Sequence, residues 1–214
     1  MDSKKKSEDR YIEVKKYIED AIVEIEKMRY YPLREICLFS LLDQFIQNKY
    51  PEKTTCKNCE NFCLFLDEYL GKEKEFQWLK AYDPIIFRYD NQITQIFEID
   101  TSDFEIYPYP TVDLYIKSYK LDIIVAKYRF DNLLYKWRNK LVHECRQITT
   151  ASDSMQEISK PIYFKCGEKI KLFFPYYTIK NLVIKAILNY LEDCKIKELD
   201  PFYNYTEYDS WYEK

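Results

Sequence analysis

Two glycines, Gly71 and Gly167, serve all 214 residues of this chain. Glycine alone takes left-handed and crowded backbone conformations cheaply. A chain with two of them cannot build Gly-rich phosphate loops or a series of tight hairpins. No GxGxxG or Walker-type run occurs, which argues against P-loop and dinucleotide-binding folds. Long helices remain, and with 47% hydrophobic residues there is ample material for one core. The length fits a single domain at the upper end of the usual range, taken here as 1–214.

Apolar residues at helical spacing mark the elements. Over 8–28, Tyr11, Val14, Ile18, Ile22 and Ile25 form one stripe of a surface helix. Pro32 opens a second helix through about Asn48, apolar nearly all round and so expected at the bundle centre, with Pro51 ending it. A third runs from about Cys56 to Leu70, with Gly71 where a left-handed C-cap would sit. Residues 72–117, with Pro84, Pro108, Pro110 and many tyrosines, read as an irregular insertion packed on the bundle. The strongest periodicity spans about 118–148, through Ile123, Ala126, Phe130, Leu134, Trp137, Leu141 and Cys145. Alternating runs at 162–166 and 169–174 flank Gly167-Glu168 and predict a hairpin. A final helix covers about 176–196, followed by an acidic, aromatic tail at 200–214. The expected fold is mainly α: a bundle of about five helices with a small C-terminal β-hairpin.

A formal charge of −3 offers no global attraction to nucleic acid, so an RNA-binding role needs a local basic patch. No apolar run long enough to span a membrane and no signal-peptide pattern is seen, so a cytoplasmic protein is expected. The seven cysteines are an odd number and fit reduced thiols. Cys56, Cys59 and Cys63 suggest zinc, but four ligands usually come as two pairs and no second pair exists. Their spacing puts them on the core stripe of the third helix instead, and neither metal nor cofactor is expected. The 22 tyrosines, some interleaved with lysines around 115–128, suit base stacking or plain amphipathic packing.

The single histidine, His143, closes the run Arg138-Asn139-Lys140-Leu141-Val142-His143 near the end of the most periodic helix. This run, and its place on a late helix of a bundle, resembles the HEPN superfamily signature of an Arg, a polar residue that is often Asn, a short spacer and a His. The similarity covers roughly 8–70 and 118–196. It implies a metal-independent endoribonuclease, a toxin or defence effector, with Arg138 and His143 catalytic and Asn139 orienting the phosphate or His143. It also implies a homodimer whose two motif helices build one composite site. Asp43 and Ser40, polar residues in the apolar second helix, and Glu144 are candidate supporting groups. An antitoxin or regulatory protein is a further partner such proteins have. In some of them a Tyr two residues after the histidine is modified; here that position is Cys145.

Two lines of chemistry bear on the dimer. At about 100° per residue, Arg138 and His143 are about 140° apart, so one straight helix is not expected to aim both at one phosphate: either the helix bends or unwinds near its end, or a second molecule supplies partner groups. Cleavage through the neighbouring 2′-hydroxyl also needs a base, an acid and a cation for the phosphorane, and one chain holds one histidine. Three readings stay open: the nuclease; a non-catalytic HEPN module that binds RNA, nucleotide or a protein; and an interaction protein in which the motif is coincidence. In the last, His143 is a helix C-terminal residue, Arg138 pairs with a carboxylate, and Ser40 and Asp43 bond locally.

Overall fold

The computed structural model describes residues 3–51, 58–80, 129–144, 156–159, 161–166 and 169–202 (side chains of 3–7, 144, 163–166 and 169–171 excepted). Among the described residues five α-helices dominate: α1 (Ser3–Lys27), α2 (Tyr31–Lys49), α3 (Asn58–Leu70), α4 (Phe130–Glu144) and α5 (Tyr176–Ile196). A 3-10 helix, Lys74–Lys80, follows α3. Between α4 and α5 lies an antiparallel hairpin, β1 (Ile162–Cys166) and β2 (Lys169–Phe173), paired Ile162 with Phe173 through to Cys166 with Lys169. The fold is thus a mainly helical bundle with the expected hairpin. No helix among the described residues is long and apolar enough to cross a membrane.

Proline geometry sets one border cleanly. Pro32 sits in the first turn of α2, where its missing N–H is no loss. α2 touches every other α-helix, but it shares the centre with α5. Ile179, Leu182, Val183, Ala186, Ile187, Tyr190 and Leu191 of α5 are all completely buried, whereas Leu33 of α2 is half exposed. A hydrophobic circumference therefore did not by itself single out the central helix. Buried Asn48 donates to the Tyr190 hydroxyl (2.8 Å) and to the Pro201 carbonyl (2.6 Å), which also receives the Tyr190 hydroxyl proton (2.7 Å).

The described start of the 72–117 segment is part of the core. Phe76, Trp78 and Leu79 are buried, and Trp78 meets Phe130 edge-on at 6.0 Å and Phe174 at 6.2 Å. Residues 81–117 and the tail from 203 lie outside the described residues.

Two expectations are corrected. The motif helix begins at Phe130, not near 118, because Arg129 lies in a strand-like bridge. Asp131 favours a start there: its carboxylate, in the positive first turn, accepts from the Asn132 backbone N–H at 2.7 Å. Nor is Gly71 a left-handed cap. What excludes a side chain there is space, since a Cβ would fall 2.6 Å from Asp67 Oδ1 and closer still to the Asp67 carbonyl.

The left-handed residue is instead Glu198, at φ 54° after α5, where Leu199 N–H reaches back to the Cys194 carbonyl at 2.8 Å. A side chain there is strained, and a carboxylate opposes the negative end of the helix. Glu198→Gly is expected to stabilise the fold by about 0.5–1 kcal/mol, the relief of strain exceeding the extra entropy of a glycine. Urea denaturation measures this. An unchanged or lower midpoint would contradict the assignment of strain to Glu198.

Candidate functional site

α4 is seated by one stripe, Phe130, Leu134, Trp137 and Leu141, all buried. Trp137 is the widest member and packs edge-on against Phe173 (5.5 Å) and Phe174 (5.6 Å) of the segment leading into α5. This fixes the rotation of the helix. Arg138, the next residue, then turns toward α2.

Arg138 meets Asp43 there. Its Nε lies 3.1 Å from Asp43 Oδ2, and its Nη2 donates to the same oxygen. Nη1 donates to Asn139 Oδ1 at 2.7 Å and lies 3.5 Å from His143 Nε2. The guanidinium also stands 5.8 Å over the Tyr135 ring, within cation–π range. Arg138, Asn139, His143 and Asp43 therefore form one cluster within a single chain.

The two side chains approach each other even though their positions on the helix are about 140° apart. Rotation about the axis describes where Cβ atoms point and ignores reach. Helical side chains lean toward the N-terminus, which carries His143 back toward Arg138, and the long guanidinium covers the remaining distance.

The other candidates fall differently. The Ser40 hydroxyl is exposed and donates to the Ile36 carbonyl of its own helix at 2.8 Å. Glu144 is the last residue of α4, and its side chain lies outside the described residues, as does Cys145. Cys59 and Cys63 are half-buried rather than core. They line a cleft with Asp67, Arg129 and Asn132, and the Cys59 thiol contacts Asn132 Oδ1 at 3.2 Å. The inward face of α3 is carried by Phe62, Phe65, Leu66, Tyr69 and Leu70, leaving the thiols at its edge facing α4. Among the described residues no group of three or more His, Cys, Asp or Glu side chains is placed to hold a metal ion.

Burial pushes the Asp43 carboxyl above the ordinary aspartate range, against the downward pull of the Arg138 bonds and charge and of His143. The pair is mostly shielded, with side-chain exposures of 14% for Arg138 and 19% for Asp43. A guanidinium held this way is fixed in position. Its Nη1 edge faces an imidazole nitrogen that can accept only when it carries a lone pair. The arrangement suits an anion bound beside Arg138 and a proton exchanged with His143, which is exposed.

Glu35 was not anticipated. It is 3% exposed, two turns before Asp43 on α2, and accepts the Trp137 indole N–H at 3.4 Å. Desolvation raises its carboxyl to about 8, with the indole bond opposing. The signal that singled out Asp43, an acid inside an apolar helix, was present here as well. No family model, curated protein or solved structure matches the chain.

Two predictions follow the two carboxyls of α2. Glu35 holds its proton to about pH 8 in the fold but only to its ordinary value of 4.5 when unfolded. Between those values the folded state binds more protons, so stability falls as pH rises. Glu35→Gln keeps an acceptor for Trp137 and cannot ionise. It is expected to be more stable than wild type by roughly 4 kcal/mol at pH 8, with the gain vanishing near pH 4. Parallel melting curves of the two proteins across that range would refute this. For Asp43, replacement by Ala strips a shielded cation of its counter-charge and should cost about 2 kcal/mol in chemical denaturation. A loss near zero would mean that Arg138 finds water or another acceptor.

Proposed function

We propose that this protein is a metal-independent endoribonuclease of HEPN type, acting as a toxin or defence effector. The observation that carries the reading is the approach of Arg138 Nη1 to His143 Nε2 at 3.5 Å, with Asp43 anchoring the guanidinium from α2. Arg and His in one cluster meet the first needs of RNA cleavage. The 2′-oxygen attacks the adjacent phosphorus and loses its proton to a base. The 5′-oxygen leaves and takes a proton from an acid, giving a 2′,3′-cyclic phosphate and a 5′-hydroxyl. His143 serves one proton transfer, Arg138 stabilises charge on the phosphorane, and Asn139 steadies the guanidinium.

The homodimer remains part of this reading on a single ground. With Arg138 and His143 already together, geometry no longer calls for a second chain. The count of proton-transfer groups still does, because one histidine supplies base or acid and a two-fold pair supplies both. An antitoxin or other regulator would act by covering this cluster or blocking that pairing.

One observation favours a second reading, a non-catalytic HEPN module that binds RNA, nucleotide or a protein. Three of the guanidinium nitrogen contacts are already taken by Asp43 and Asn139, so an incoming phosphate must share or displace them. Cleavage separates the readings. Wild type is expected to cut RNA, or to arrest growth when expressed, and to yield cyclic-phosphate ends. His143→Ala and Arg138→Ala should each lose at least 100-fold in rate, with helical content and oligomeric state unchanged. Wild type inert on several RNAs, but binding them, would leave the binding module in place of the enzyme.

A further inference from the structure

The outward face of α4 carries more than His143. Lys136, Asn139, Lys140 and His143 recur at i, i+3, i+4 and i+7, an arc of about 100° on a helix. Lys136, Lys140 and His143 are exposed and Asn139 half-buried, so the arc faces solvent. Asn132, one turn before Lys136, extends it without adding an acid. Asp131, an acid of the same helix, is turned inward at 2% exposure and bonded to Arg129. Lys136 and Lys140 thus place two exposed cationic side chains on the face of α4 that also carries His143.

We propose that Lys136 and Lys140 bind the backbone phosphates of single-stranded RNA next to the cleaved linkage, with the strand running along α4. This rests on the ribonuclease reading for the role of His143, and it adds the residues that hold the substrate and the form of RNA they accept. The two lysines are one turn apart, about 6 Å along the axis, and His143 lies a further 4.5 Å or so on. Arg138 lies midway between the two lysines along the axis, so phosphates of an extended strand laid along α4 and engaged at the cluster come within reach of Lys136 and Lys140. A single strand is the form that fits. In-line attack needs the 2′-oxygen, phosphorus and 5′-oxygen collinear, which a stacked A-form duplex prevents. Neither lysine contributes to the proton transfers, so they act on binding.

The test uses the full chain carrying His143→Ala, which keeps the lysines and does not cut, with a labelled oligouridine as probe. Affinity is measured over a range of KCl concentrations. Each phosphate contact to a single strand contributes about 0.7 to the slope of log affinity against log salt. Adding Lys136→Gln and Lys140→Gln should flatten that slope by about 1.4 and weaken binding at low salt at least tenfold, by the same relation. Lys16→Gln on exposed α1 serves as the control and should change neither. A slope unaltered by the double substitution, with wild type still cleaving, overturns the lysine assignment alone. A flattened slope with no cleavage by wild type keeps these lysines as an RNA-binding surface and removes the nuclease. No salt-dependent binding at all removes both.

Discussion

The seating of Trp137 determines what every other residue of α4 can do. Its ring is wedged against Phe173 and Phe174 while its indole N–H meets Glu35. Large aromatic surfaces bury well in few orientations, so the helix cannot roll without exposing this one. Once Trp137 is fixed, Arg138 must sweep toward α2 and Asp43, and the arc from Lys136 to His143 must face water. The hairpin and the start of α5 are therefore not peripheral to the candidate site. They supply the wall against which the motif helix is indexed.

The two acids of α2 meet this helix in opposite electrical states. Glu35 is buried with the Trp137 indole N–H as its bonded partner, and burial favours its protonated form. Asp43, two turns on, meets the Arg138 guanidinium. Burial disfavours charge at both, and only the second has a charged partner to offset it. The same helix thus contributes a neutral acceptor behind the site and a charged anchor within it.

Helix positions were legible in the sequence wherever burial is one-sided or proline marks a border. The stripe of α1, the Pro32 start of α2 and the alternation of the hairpin are examples. Features set by reach, crowding or competition were not. Gly71 is required by the nearness of Asp67 rather than by a left-handed turn, and strain fell on Glu198, an unremarked surface residue. The start of α4 depended on Asp131 and Arg129, which periodicity does not weigh. At the candidate site, the residue types could be read from the motif and from polar positions in an apolar helix. Their meeting could not, because a helical wheel projects directions and the contact was made by side-chain length. Glu35 was legible in principle, by the same rule that found Asp43.

The bond between Trp137 and Glu35 gives the molecule an internal optical gauge. An indole whose N–H points at a carboxyl group changes its emission when that carboxyl gains or loses a proton, and when the ring shifts against its neighbours. Trp137 sits one residue from the arginine of the cluster, so its light reports the packing of the motif helix from inside the core. Anything that levers α4 away from α2, whether a bound strand, a partner protein or a second copy of the chain, would register in that emission without an added label.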